Sequence, residues 1–192
     1  MIPLFEVAGK STCPMGMPMS QNRLAVPTWS YAMEVLPPAR IVELGTMNGG
    51  FTIALGLHAF HIGAKVTSYE RSRAPNEDFV ALGKFLGINF RDQVDIWACE
   101  AEIAALIAQP GITYMLCDGG DKPRELATFA KYLKLGDVIA SHDYCCAPGS
   151  EFWPWGEITA AQGAAVADAH NLEPWLQNHF DMAGWLVYRK RK

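Results

Sequence analysis

Acidic side chains recur at one kind of position in this chain, at or just after the end of a short apolar segment. They are Glu43, Glu70, Glu100, Asp118 and Asp143. A carboxylate placed there can accept hydrogen bonds from ligand hydroxyl or amine groups, hold a hard cation or take up a proton. If the apolar segments are parallel strands, ligands bind outside their carboxyl ends. The spacing therefore predicts one ligand site built from these five places.

A glycine-rich turn follows Glu43 and reads Gly-Thr-Met-Asn-Gly-Gly over residues 45–50. A dinucleotide-binding fingerprint needs its second glycine two residues after Gly45, where Met47 stands. Glu43 would also place negative charge near a pyrophosphate. The turn therefore favours a ligand with positive charge or hydroxyl donors. An ordinary βα turn that needs glycine only for its sharpness is the alternative.

Glu70 ends the second apolar segment, a position that commonly presents a carboxylate to both hydroxyls of a ribose. A surface ion pair with Arg71 or Arg73 is the alternative reading. The glycine turn and Glu43 together favour the ribose site.

Four chemically active residues follow two later apolar segments, 112–117 and 138–141: Asp118, Asp121, His142 and Asp143. Neighbouring strands would bring them into one small volume, where three carboxylates repel unless a cation or a shared proton compensates. Mg²⁺ suits such an oxygen-rich site and could orient and acidify a hydroxyl group of a ligand. In the metal-free alternative, His142 acts as general base. A third reading has His142 only bracing Asp143.

The elements that would position these residues alternate between strand and helix. Strands are predicted at 41–44, 65–70, 93–99, 112–117, 138–141 and 184–188, and helices at 27–36, 50–60, 77–85, 101–108, 123–133 and 157–169. This alternation predicts an α/β fold with a doubly wound, Rossmann-like, mostly parallel sheet covered by helices on both faces. Residues 39–192 would form this single domain, preceded by an arm and leading helix at 1–38. Within the arm, the Met-rich residues 15–21 would cover the ligand or pack against a partner subunit.

The residues from Ile41 to Thr52 resemble motif I of class I S-adenosylmethionine-dependent methyltransferases. Their ExGxxxGG form is similar to the branch that contains cephalosporin-hydroxylase-like and macrocin-type O-methyltransferases. The Asp-Gly-Gly-Asp turn at 118–121 and the His142-Asp143 pair resemble two further landmarks of that branch, and the resemblance covers roughly residues 15–188. The chain departs from the branch at Asp121, where histidine is usual, and at Met47, where a small residue is common.

The resemblance implies an enzyme that transfers a methyl group from S-adenosylmethionine to an oxygen of a small-molecule acceptor, with nitrogen less favoured. The implied cofactor-binding residues are Glu43, Gly45, Thr46, Gly49, Glu70, Glu100 and Asp118. Among these, Glu70 would bind the ribose, Glu100 the adenine and Asp118 the reactive end. The implied catalytic residues are Asp118, His142 and Asp143. In related metal-dependent enzymes, the positions of Asp118 and Asp143 hold Mg²⁺, although Tyr144 here replaces the asparagine that usually follows.

Composition narrows the alternatives. The chain has 192 residues, half of them hydrophobic, and a net charge of −4, so a dedicated nucleic-acid binder is disfavoured. No apolar run reaches the ~18 residues of a membrane span. The odd number of cysteines, five, favours a reducing cytoplasm over a disulfide framework. A nucleotide-binding oxidoreductase or hydroxylase-type enzyme and a non-catalytic binding module remain as rivals. The acceptor, catalytic competence and assembly into a homo-oligomer stay open.

Overall fold

The structure is a computed structural model that describes residues 11–12, 15–71, 76–146 and 156–191. The strands are β1 Ser11–Thr12, β2 Pro18–Met19, β3 Arg40–Leu44, β4 Lys65–Tyr69, β5 Asn89–Arg91, β6 Thr113–Cys117, β7 Val138–Ser141, β8 Leu172–Pro174 and β9 Leu186–Lys190. The helices are α1 Ala25–Val35, α2 Gly50–Ile62, α3 Glu77–Phe85, α4 Glu100–Ala108, α5 Lys122–Ala130, α6 Ala160–His170 and α7 Gln177–Phe180, and a 3₁₀ turn follows at Asp181–Ala183. None of the helices in the described residues is long and apolar enough to cross a membrane.

Seven strands form one sheet in the order β5-β4-β3-β6-β7-β9-β8. The first five in this order are parallel, and β9 runs antiparallel to both β7 and β8. The chain thus winds outward twice from β3, which confirms the predicted doubly wound, mostly parallel fold.

The register of the central strands brings their carboxyl ends level. Leu44 pairs with Tyr69 on one side and with Cys117 on the other, and Cys117 pairs with Ser141. The next residues of these strands therefore lie along one edge of the sheet: Gly45, Glu70, Asp118 and His142.

Two apolar layers cover the faces of the sheet. Trp29 of α1 and Phe79 of α3 belong to one core, and Ile103 of α4 and Phe129 of α5 belong to the other. Alternate residues along each strand contribute to opposite layers, as the pleat of a β-strand requires. The leading helix α1 therefore shares its core with the sheet.

The arm packs against the start of α2. Met17 and Met19 are buried in the first core, and a Cβ added to Gly50 would lie 2.3 Å from the carbonyl oxygen of Pro18. Residues 18–21 of the arm thus lie beside the ligand-binding edge of the sheet.

The third strand was predicted wrongly at 93–99 and lies instead at Asn89–Arg91, where it pairs with β4. Gln93 has a φ of +53°, which ends the extended backbone. The side chain of Asp95 then accepts a hydrogen bond from the N–H of Trp97, and the backbone carbonyl oxygen of Asp95 accepts one from the N–H of Ala98. These local bonds turn a segment rich in β-forming residues into a helical turn that leads into α4.

The last part of the chain differs from its prediction in smaller ways. Strand β8 and helix α7 were not predicted, α6 begins at Ala160 rather than at 157, and β9 ends at Lys190. The side chain of Thr159 caps α6 by accepting the N–H of Gln162, and the Gln162 side chain accepts the N–H of Thr159. This capping box sets where the helix begins.

Candidate active site

A cleft of about 700 Å³ opens at the carboxyl ends of β3, β4, β6 and β7. Its walls are the glycine turn after β3, Glu70 after β4, residues 118–125 and the His142-Asp143 pair. Residues 18–21 of the arm form a further side. A cleft of this size can hold a ligand as large as a nucleoside with an attached amino acid.

Gly45 allows the turn after β3 to lie against the end of β6. Its φ is +88°, and a Cβ at this position would lie 2.1 Å from the carbonyl oxygen of Asp118. Gly49 directly precedes α2 and has a φ of +80°. A Cβ on Gly49 would lie 2.1 Å from the ring of Phe79. Both positions therefore require glycine, and the turn exposes backbone to the cleft.

Glu43 is buried beneath the glycine turn and does not line the cleft. It is 1 % exposed, and it accepts hydrogen bonds from the hydroxyls of Thr52 at 2.6 Å and Ser68 at 2.5 Å. Burial raises the pKa of Glu43 to about 7. Ser68 is also hydrogen-bonded to Thr46 at 2.6 Å. Glu43 thus connects β3 to α2 and β4, and the structure does not bring it into the lining of the cleft.

Glu70 does line the cleft, as predicted. Its carboxylate accepts the backbone N–H of Met47 at 2.7 Å, which ties the end of β4 to the glycine turn. Met47 itself has a φ of +50°. Because this N–H already has a carboxylate partner, it is not available to a phosphate.

Asp118, His142 and Asp143 form a compact cluster at the other end of the cleft. The Nδ1 atom of His142 lies 3.1 Å from Asp118 Oδ1 and 3.4 Å from Asp143 Oδ1. His142 is 2 % exposed, whereas both carboxylates are partly open to the cleft. With two carboxylate oxygens beside it, Nδ1 is best placed to carry the proton.

The backbone at Asp143 is held in an unusual conformation. Its φ is +56°, in the left-handed region that few residues other than glycine adopt. The carbonyl oxygen of Asp143 accepts the N–H of Glu157 at 2.8 Å and that of Ile158 at 3.4 Å. These bonds stabilise the turn that points the Asp143 carboxylate at the cluster, and strain of this kind is typical of functional sites.

Lys122, which the sequence analysis did not single out, supplies the positive charge of the cluster. Its ammonium lies 2.8 Å from Asp143 Oδ2, 2.9 Å from Glu157 Oε2 and 3.4 Å from Asp118 Oδ1. Lys122 is the first residue of α5 and is 5 % exposed. Burial alone would lower the pKa of Lys122, but Asp118 and the hydrogen bonds to Asp143 and Glu157 outweigh it and raise that pKa. Its spacing of four residues from Asp118 was the available signal.

Gln21 extends from the arm into the same cluster and was also missed. Its amide nitrogen donates to Asp118 Oδ2 at 3.0 Å and lies 3.3 Å from His142 Nδ1. Its amide oxygen accepts the indole N–H of Trp185 at 3.0 Å. The indole therefore fixes the orientation of the amide, which joins the arm to the charged groups.

Two predicted residues, Glu100 and Asp121, do not belong to the cluster. Glu100 begins α4 outside the cleft lining and accepts hydrogen bonds from Tyr132 at 2.6 Å and Lys131 at 2.9 Å. It was placed near the adenine because it follows 93–99, and that segment is not a strand. Asp121 is exposed and caps α5, where it accepts the N–H of Arg124. It lines the cleft but does not belong to the cluster of possible metal ligands.

The donor atoms of the cluster lie close enough together to contact a single metal ion. Asp118, His142 and Asp143 offer one ligand atom each, all within 4.8 Å of one another, a spacing that a divalent cation can span. The Lys122 ammonium, however, contacts both carboxylates. An ion would have to share these oxygens with a positive charge that belongs to the chain.

No protein-family model and no curated protein sequence match the chain. Solved structures do. A structure of CmcI with SAH is 15% identical, with a TM-score of 0.66 over 99% of this chain and 87% of that one. A Mg-SAM structure of CmcI is 17% identical, with a TM-score of 0.62 over 92% and 75%. A methyltransferase from Geobacter sulfurreducens is 13% identical, with a TM-score of 0.61 over 89% and 80%. The chain therefore has the Rossmann-like fold of the class I methyltransferases, as the sequence resemblance implied.

Proposed function

We propose that this protein transfers a methyl group from S-adenosylmethionine to an oxygen atom of a small-molecule acceptor in the cytoplasm. One observation carries the proposal: a single cleft has Glu70 and the glycine turn at one end and the Asp118–His142–Asp143 cluster at the other. The similar fold of the SAH and Mg-SAM structures of CmcI supports the same assignment.

The first end suits the nucleoside half of S-adenosylmethionine. Glu70 accepts hydrogen bonds from the ribose hydroxyls, because its carboxylate faces the cleft and is fixed by Met47. Gly45, Thr46 and Gly49 let the ligand approach the backbone. In place of Glu100, we assign the adenine to the wall formed by Ile96 and Trp97.

The second end suits the transfer itself. The sulfonium carries the electrophilic methyl group, and the protein has to align the acceptor with it and take up the acceptor proton. Asp118 accepts the hydrogen bond of the acceptor hydroxyl, because it is the carboxylate at the end of β6 that lines the cleft. Asp118 takes up the acceptor proton, and His142, whose Nδ1 lies 3.1 Å from Asp118 Oδ1, holds that carboxylate in place by donating its own proton. An amine acceptor would use the same groups and is the second choice.

The residues that would hold Mg²⁺ are Asp118, His142 and Asp143. A bound ion would supply Lewis acidity and lower the pKa of an acceptor hydroxyl. Lys122 competes with such an ion for the carboxylates.

Calorimetry with S-adenosylmethionine, S-adenosylhomocysteine and NAD tests the cofactor. We expect both sulfur nucleosides to bind and NAD not to bind. Glu70→Gln should weaken their binding by ~1.5–3 kcal/mol, the range for hydrogen bonds to a charged group. Glu34→Gln changes an exposed acid on α1 and should leave the binding unchanged. Binding of NAD alone would identify an oxidoreductase, and binding of none of the three a non-catalytic module. Unchanged affinity in Glu70→Gln would reject the ribose site.

A further inference from the structure

The carboxylates of the cluster already have donors from the chain itself. Asp118 Oδ1 lies 3.1 Å from His142 Nδ1, and Asp118 Oδ2 accepts from Gln21 at 3.0 Å. Asp143 Oδ1 lies 3.4 Å from His142 Nδ1, and Asp143 Oδ2 lies 2.8 Å from the Lys122 ammonium. All four oxygen atoms are therefore within 3.4 Å of a nitrogen of this protein.

The position of Lys122 in the fold keeps its ammonium among the three carboxylates. Lys122 begins α5 directly after the turn that carries Asp118, so its side chain reaches back over its own helix start. It is 5 % exposed, and Glu157 closes the ion pair from the solvent side at 2.9 Å. A lysine in solvent would not be held by three carboxylates at once, and here the fold enforces that arrangement.

A divalent ion on Asp118 and Asp143 would lie next to this ammonium. Two like charges at such a distance repel strongly where water is largely excluded. The ion could bind only if Lys122 gave up its contacts and moved a buried charge elsewhere, which is costly.

We propose that Lys122 is the resident cation of this site and takes the place of a divalent metal between Asp118 and Asp143. Its ammonium neutralises part of the carboxylate charge, so that the two side chains stay close without an ion. The site therefore excludes Mg²⁺ as long as Lys122 is present. This inference concerns metal binding alone. Its consequence, that methyl transfer does not need Mg²⁺, rests on the proposed function.

Mn²⁺ is the probe, because it prefers the same oxygen-rich sites and free Mn²⁺ is counted directly by its paramagnetic resonance. We expect the wild-type protein to show no saturable Mn²⁺ site up to millimolar concentration. Lys122→Met removes the charge and keeps an apolar chain of similar length, and it should bind Mn²⁺ at least about tenfold more tightly, or 1.4 kcal/mol. Adding Asp143→Asn to that variant should abolish the site again.

Two controls separate charge from position. Lys122→Arg keeps the positive charge and should exclude Mn²⁺ as the wild type does. Lys131→Met removes an equal charge from the other end of α5, where Lys131 pairs with Glu100, and it should not create a site. Saturable Mn²⁺ binding to the wild type, or equally weak binding to wild type and Lys122→Met, would overturn the inference.

The result can be obtained even if Lys122→Met does not fold. In that case the wild-type titration still tests the inference, because saturable Mn²⁺ binding to the wild type would overturn it. None of these measurements requires S-adenosylmethionine, so they stand whether or not the proposed methyl transfer is correct.

Discussion

The two ends of the cleft are built by different means. At the nucleoside end, Gly45 and Gly49 fix the path of the chain, and Glu70 is held by the backbone N–H of Met47. At the transfer end, side chains contact one another through hydrogen bonds and ion pairs. The residues involved are Gln21, Asp118, Lys122, His142 and Asp143. The first end depends on short local stretches of sequence. The second depends on residues up to 121 positions apart, so a single substitution can change its chemistry without changing the fold.

The largest effect should come from Asp118→Asn at the transfer end. The substitution keeps the shape of the side chain but removes the charge that faces His142 and the acceptor hydroxyl. We expect turnover to fall by ~10²–10³, since a positioned proton acceptor contributes 10²–10⁴, while the affinity for S-adenosylmethionine changes little. Formation of S-adenosylhomocysteine measures the first and calorimetry the second.

The control for Asp118→Asn is Asp121→Asn, because Asp121 caps α5 and contributes no ligand atom to the cluster. Because asparagine caps a helix about as well as aspartate, the variant should keep its stability, and its turnover should stay within a few-fold of wild type. Equal losses of turnover in both variants would mean that the whole 118–121 turn has been disturbed, and Asp118 would lose its assignment.

A smaller effect is expected at the nucleoside end, where Glu43 should make stability depend on pH. The carboxyl group of the unfolded chain loses its proton near pH 4.5, whereas burial raises the pKa in the folded protein to about 7. Between these values the folded protein binds more protons, so raising the pH favours unfolding. The free energy of unfolding should fall by about 1.4 kcal/mol per pH unit, or about 3 kcal/mol in all, with the loss complete above about pH 7.

Urea denaturation at several pH values checks this dependence in wild type and in Glu43→Gln. The variant keeps an oxygen that can accept from Thr52 and Ser68, so we expect a flatter profile rather than a collapsed site. Glu125, whose pKa burial also raises, contributes the same sign in both proteins and drops out of their difference. Identical profiles would mean that Glu43 ionises in the folded protein as it does in the unfolded chain.

The sequence predicted some residues at each end of the cleft and missed others. Glycine spacing and an acid after each apolar segment are local signals, and they placed Gly45 and Glu70 on the cleft. The position of the third strand was predicted wrongly, because Val94 and Ile96 favour a strand, whereas the hydrogen bonds of Asp95 form a helical turn. That error also misplaced Glu100.

At the transfer end, the sequence could not identify the group that compensates the carboxylates. Asp118, Asp121, His142 and Asp143 were expected to meet, and all except Asp121 do, because β6 and β7 are neighbours. The compensating charge was expected to be a metal or a shared proton. A lysine could not be chosen from the sequence, since only the fold determines which of several lysines lies buried among carboxylates.

The smallest effect should come from Gln21, which joins the arm to the transfer end. Deleting the arm would also remove Met17 and Met19 from the core, so it cannot separate a cover from a packing element. Gln21→Leu keeps the volume and loses only the amide that bonds Asp118 and Trp185. We expect turnover to fall by about tenfold, which corresponds to the low end of the ~1.5–3 kcal/mol that a hydrogen bond to a charged group contributes.

The affinity for S-adenosylmethionine should change less than turnover in Gln21→Leu, because the amide contacts the cluster and not Glu70 or the glycine turn. Gln21→Glu provides the contrast, since it adds a fourth carboxylate beside Asp118 and should lower turnover further by repulsion. If Gln21→Leu instead weakens cofactor binding and leaves the catalytic rate intact, the arm acts on the nucleoside end. Gln21 would then not belong to the transfer end of the cleft.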